Sequence, residues 1–317
     1  MKIFFMFKKN KKNLVILIAG VVVFVLLYAF VVSTYFKEAE KRSLFIESQT
    51  ADTINCIIVD GYIVSIDPNK GEMTIRMDFE PKGKYANEKG LLNIDLQVYV
   101  NNSSGKQEHS FEKDAIMNPI EITLNLYDGL VTDYPFDKHN ADFQLYTYEK
   151  IKKEIKEGET MKEVTEESDI NNFLSFSGSV TGYKINASLA PEGNDLLTVL
   201  NFEICRSDSV KFFSMFVVFL MWMLIILLLT LIYNVVVKGR KLEIGFLTFS
   251  ASLLFAFPAF RNVMPMSPPI GSFPDYIAFF WAESMAAATL ITFIMTWIKR
   301  KPQDKAPDPP DNIQNVG

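Results

Sequence analysis

Side chains able to do acid, base, nucleophilic or metal-binding chemistry are few and scattered in this 317-residue chain. There are two histidines, His109 and His139, and imidazole is the commonest general base and metal ligand. They stand thirty positions apart on different segments, which reads as two surface side chains and not as a paired site. The chain contains no glycine-rich phosphate loop, GxSxG elbow, HExxH pair or Cys/His cluster with zinc spacing. No catalytic, cofactor-binding or metal-binding residue can be nominated, and the expectation is a protein that is not an enzyme and carries no cofactor. Cys56 and Cys205 lie near the two ends of the central region, where a disulfide would close a long loop. Strand parity favours two separate thiols instead: Cys56 alternates in step with Ile54 and Ile58, and Cys205 with Asn201 and Glu203.

The sharpest short motif is Tyr134-Pro135-Phe136-Asp137. Proline fixes its own φ and biases Tyr134 toward extended backbone, so the motif suits a sandwich corner. Phe136 is expected to enter the core, and Asp137 to accept backbone N–H groups. A similar aromatic-Pro-Phe-Asp turn occurs in pentameric ligand-gated channels, where it faces the membrane and helps couple ectodomain to pore. The cysteines that bracket the turn in those channels are absent here.

Two ionisable residues adjoin or interrupt apolar stretches near one proline-rich loop. Arg261 follows the run Ile244 to Phe260, and Glu283 lies inside the run Tyr276 to Ile298. A carboxylate facing lipid would cost several kcal/mol, so the two are expected to form a partly buried pair. Between them, Pro265, Pro268, Pro269, Gly271 and Asp275 belong to a loop stiffened by proline, one that could dock against a neighbouring domain.

The elements that position these residues follow from hydropathy. With 49% apolar residues the chain is too greasy for two soluble domains. Apolar runs at 14–32, 212–237, 244–260 and 276–298 are read as four transmembrane helices. Lysine and arginine cluster before residue 14, within 238–243 and after residue 298, so the positive-inside rule places both termini in the cytoplasm. Residues 1–13 are then a basic cytoplasmic start, 33–211 an extracytoplasmic domain, 238–243 a cytoplasmic loop, 261–275 an extracytoplasmic loop and 299–317 a disordered cytoplasmic tail. The domain 33–211 carries nineteen Lys plus Arg against thirty-one Asp plus Glu, a net −12, while the rest of the chain is +7. An acidic exterior excludes nucleic acid as a partner.

Within 33–211 the dominant period is two. Met73, Ile75, Met77 and Phe79 alternate with polar neighbours, as do Leu92 to Val100 and Ile120 to Leu126. Weaker strands are predicted at 54–66, 141–148, 173–189 with a break at Gly182, and 196–206. Together they predict an antiparallel β-sandwich, so the fold class is membrane α + β. The charged stretch 149–169 is expected to be an exposed helix or loop.

The segment Phe257-Pro258-Ala259-Phe260-Arg261-Asn262, Pro265, Pro268-Pro269-Ile270-Gly271, Asp275 and Phe280-Trp281-Ala282-Glu283 supports a closer resemblance. Taken with a single amino-terminal anchor, a β-rich exterior domain and three final spans, it resembles the uncharacterised bacterial membrane proteins catalogued as domain of unknown function 4436. The resemblance implies architecture and a cell-membrane location, but no ligand or activity. The expected role is binding to envelope or membrane proteins as sensor, scaffold or accessory subunit within the lipid bilayer, with room for a homo-oligomer. A channel or transporter component is the alternative.

Overall fold

Alternating apolar and polar residues build the strands, and the apolar set of each strand faces a shared interior. The computed structural model describes residues 11–40, 44–47, 53–157, 160–190 and 197–300. Its strands are β1 (Leu44–Glu47), β2 (Ile57–Asp67), β3 (Glu72–Pro81), β4 (Leu96–Val100), β5 (Glu108–Phe111), β6 (Ile120–Asn125), β7 (Lys138–Glu157), β8 (Thr160–Asp169), β9 (Asn172–Gly178), β10 (Tyr183–Leu189) and β11 (Thr198–Arg206). One sheet has the order β1-β9-β2-β3-β6 and the other β10-β11-β7-β4-β5, with β8 added to β7.

Both sheets contribute to one core. Val59, Ile75, Met77 and Phe176 come from the first sheet, and Val98, Phe143, Leu145 and Phe202 from the second. Phe176 joins the layers, its ring 5.1 Å from Phe143 and 5.4 Å from Phe202, both edge to face. Gly61 makes this possible, because a Cβ there would lie 2.6 Å from the Phe176 ring. A bulge between Ile63 and Ser65 shifts the alternation of β2, so Ile63 and Ile66 both point inward.

Three expectations about the sheets change. The sandwich is rich in antiparallel pairs but not wholly antiparallel, because β2 and β9 run parallel from Ile57↔Asn172 to Tyr62↔Ser177. Alternation reports which face is buried, not strand direction. The stretch 149–169 is neither helix nor loop: β7 continues to Glu157 and pairs with β8 from Tyr148↔Asp169 to Glu157↔Thr160. A charged ribbon without an apolar face leaves no period-two hydrophobic signal. The short strands β1 and β5 were also invisible, whereas the expected break at Gly182 does separate β9 from β10.

The helices are α1 (Lys11–Glu40), α2 (Asp208–Val236), α3 (Ile244–Asn262) and α4 (Phe280–Lys299), the last preceded by a π-helical turn at Asp275–Phe279. Among the described residues three are long and apolar enough to cross a membrane: Asp208–Val236, Ile244–Asn262 and Asp275–Lys299. The apolar part of α1, Leu17–Ser33, is shorter. The basic residues before position 11 and the tail from 301 lie outside the described residues.

The chain divides into two compact units, one formed by residues up to Ser214 together with Pro265–Phe273, the other by Met215–Met264 and the residues from Pro274 onward. In the second unit, Leu253, Phe257 and Arg261 are buried on α3, and Ala282, Ala286, Thr289 and Phe293 on α4. Trp222 Nε1 donates to the Ile277 carbonyl at 3.0 Å, and Arg300 donates to the carbonyls of Val235 and Arg240 at 2.7 Å.

Candidate functional site

The turn between β6 and β7 holds a cluster of buried polar residues, Asp137, His139 and Arg206 among them. A short 3-10 turn at Val131–Asp133 leads into a cis Tyr134–Pro135 bond, and Asp137 follows just before β7 begins. Tyr134, not Phe136, is the aromatic that enters the interior: Tyr134 is fully buried, while Phe136 is 50% exposed. Phe136 instead meets the ring of Phe273 edge to face at 6.0 Å. The expectation that Phe136 enters the core is therefore corrected.

Asp137 also differs from expectation, because its carboxylate takes side-chain and not backbone donors. Arg206 Nε reaches Oδ1 and Oδ2 at 3.0 and 2.9 Å, and Nη2 reaches Oδ2 at 2.9 Å. His139 Nε2 lies 3.1 Å from Oδ2, and its Nδ1 lies 3.1 Å from the Asp128 carbonyl. Burial opposes ionisation of Asp137, but hydrogen bonds from His139 and Arg206 outweigh it and hold the carboxyl below its ordinary range. His139 is buried and not on the surface as the sequence suggested, whereas His109 is half-buried beside the Lys106 carbonyl.

Arg206 closes the cluster from the end of β11. Its guanidinium lies 5.2 Å from the Tyr134 ring centroid and 4.9 Å from that of Tyr183, a cation–π arrangement with two rings. Nη1 donates to the Tyr183 hydroxyl at 3.1 Å and contacts Met266 Sδ at 3.2 Å. Burial pushes the Tyr183 phenol up to about 12. The Tyr134 hydroxyl donates to the Pro265 carbonyl at 2.8 Å and lies 2.7 Å from Ser214 Oγ.

Two further segments thus converge on Tyr134 and Asp137. One is the stretch from Arg206 through Ser214, which continues into α2; the other is the loop 265–273, grouped with the sandwich though its flanking helices are not. In that loop Met266 and Ser267 adopt positive φ, as does Gly271 at +90°. Chemically the arrangement is a locked ion-pair node. Both nitrogens of His139 already face acceptors, so the ring has none left to serve a substrate as base.

The remaining predicted residues fall elsewhere. Arg261 does not pair with Glu283 but with Asp275, Nε to Oδ1 at 3.1 Å and Nη2 to Oδ2 at 3.2 Å. The π turn that begins at Asp275 puts this nearer acid at the start of the last helix, where it takes the guanidinium. Glu283 is left with Oε2 buried and lacking a hydrogen bond. Cys56 and Cys205 remain thiols, donating to the Thr53 and Lys184 carbonyls at 3.6 and 3.7 Å. Pro268 is buried and Pro269 half-buried in the loop. Arg206 was not singled out from sequence; its signal was a lone arginine where the last strand runs into an apolar helix.

Residues 47–203 match the family model described as Domain of unknown function (DUF4436). This is the family that the sequence was expected to resemble. Residues 206–300 match a second model, described as Domain of unknown function (DUF8686). The ion pair therefore links the DUF4436 segment, through Asp137, to Arg206, the first residue of the other match. Pro265, Met266 and Phe273 join the turn from that second match as well. A search of curated proteins finds no match to the chain.

Proposed function

We propose that this is a multi-pass membrane protein whose acidic sandwich lies outside the cytoplasm and works by binding, as an envelope sensor, scaffold or accessory subunit. The observation that carries the reading is the node at Tyr134–Asp137. It receives Arg206, two positions before α2, and Pro265, Met266 and Phe273 from the loop joining two apolar helices. A partner seated on the sandwich would thus act on backbone continuous with every one of the three carboxyl-terminal spans. Lysine and arginine flanking the apolar runs support cytoplasmic termini, with Lys11–Glu40 as an amino-terminal fourth span and the bilayer as the common environment.

A channel or transporter component is the second reading, favoured by the buried, unsatisfied carboxylate oxygen of Glu283 in an apolar helix. Purified chain in liposomes separates the two. The binding reading expects no ion flux above empty vesicles; flux that depends on the protein overturns it. A reporter that fluoresces only in the cytosol, fused after Gly317, should be bright. A dark but expressed fusion refutes the orientation.

A further inference from the structure

Glu283 stands in the first turn of α4 with Oε2 buried and no hydrogen-bond partner. Among the described residues, the cations of its unit are paired or distant. Arg261 is held by Asp275 through two hydrogen bonds. Lys299 and Arg300 lie at the far end of α4, sixteen or more residues on, roughly 24 Å at 1.5 Å per residue. Arg240 is at that same far end, its carbonyl bound by Arg300 at 2.7 Å, and Lys238 and Lys241 adjoin it in sequence. An ionised carboxylate at Glu283, a half-buried residue, would therefore have its enclosed Oε2 without a counter-ion among the described residues of the unit, which is costly within an apolar helix. The π-helical turn Asp275–Phe279 immediately precedes it, a rare backbone form that appears mostly at functional sites.

We propose that Glu283 is a proton-binding site, its carboxyl kept in the neutral, protonated form within the helical unit at neutral pH. The proposal rests on the membrane reading above. It adds a ligand, the proton, and a modification chemistry specific to a protonated carboxyl in apolar surroundings. Such a group adds across one C=N bond of a carbodiimide: its oxygen bonds to the central carbon, its proton goes to nitrogen, and nothing leaves.

The test uses the full chain in lipid nanodiscs at pH 7, treated with the hydrophobic reagent dicyclohexylcarbodiimide and mapped by peptide mass spectrometry. Glu283 should carry the adduct at least ten-fold above Asp275, whose two oxygens are taken by Arg261, and above the acids of the sandwich. The Glu283→Gln variant should lose that adduct alone. A water-soluble carbodiimide should leave Glu283 unmodified. Absence of the adduct in the wild-type chain, or equal reaction with the water-soluble reagent, overturns the proposal whether or not the variant folds. Carbonate washing of membranes beforehand separates the two failures. A chain released by carbonate sinks the membrane reading and this proposal with it, whereas a retained chain without the adduct sinks this proposal alone.

Discussion

Arg206 lies 69 residues beyond Asp137 in the chain, yet its guanidinium closes on both oxygens of that carboxylate, with the two side chains 3% and 0% exposed. The pair ties the start of β7 to the end of β11 at the point where the strand gives way to α2. Tyr134 and Tyr183 complete its surroundings, so a charge pair sits where an apolar plug would otherwise be expected. An ion pair so fully desolvated contributes geometry more dependably than net stability.

Removing one partner should therefore hurt more than removing both. Arg206→Met or Asp137→Leu alone leaves a buried charge uncompensated, at a cost of about 3–5 kcal/mol. The double variant should recover much of that loss. Thermal melts of the full chain in detergent measure the cycle, and losses that simply add would show that the pair is not coupled.

Acid should weaken the same node. The folded state lowers the pKa of Asp137, so the unfolded chain binds the proton more readily in the window between the two values. The contribution of Asp137 is complete above the unfolded value of about 3.9 and disappears as the pH falls through the folded one. The melting-temperature difference between wild type and Asp137→Asn should be constant from pH 7 to 5 and shrink below about 4. A difference that grows with acid would contradict this assignment.

Much of the sandwich was legible because a half-buried strand writes its face into the sequence, as Met73-Ile75-Met77 and Ile120-Ile122-Leu124 do. The parallel pairing of β2 with β9 was not, since direction depends on where a distant strand returns. Nor was the β7–β8 ribbon, whose charged alternation satisfies helical and extended spacing alike. At the site, proline and aromatic residues marked the turn, but its partners arrive from 69 and 131 positions away, and no local pattern encodes such contacts. Arg261 was recognised as needing an acid, but Glu283 was chosen because it stands inside an apolar run, whereas Asp275 was read only as a loop residue.

Gly182 should resist substitution for two independent reasons. Its φ is +86°, where a side chain costs roughly 1–2 kcal/mol, and a Cβ would lie 2.6 Å from Met266 Sδ. Gly182→Ala should lower the melting temperature of the full chain, and adding Met266→Ala should restore part of it by removing the clash but not the backbone strain. Full restoration would mean that the positive φ costs nothing, and none would mean that Met266 yields freely.

The same double-variant logic discriminates between the two acids that follow Arg261 in sequence. Arg261 donates twice to Asp275, whose side chain is 1% exposed against 10% for its own, so this pair is desolvated and geometrically matched. Residues in such contact show coupling of about 0.5–3 kcal/mol, whereas residues without shared partners add within about 0.5 kcal/mol. Arg261→Gln with Asp275→Asn should cost clearly less than the sum of the single losses in detergent melts. Arg261→Gln with Glu283→Gln should be additive, because Arg261 is held by Asp275 and the buried Oε2 of Glu283 has no hydrogen-bond partner. Glu283→Gln alone should change the melting temperature little, since a neutral amide replaces a carboxyl argued to be neutral already. Strong coupling between Arg261 and Glu283 would overturn both the pairing seen here and the protonated state proposed for Glu283.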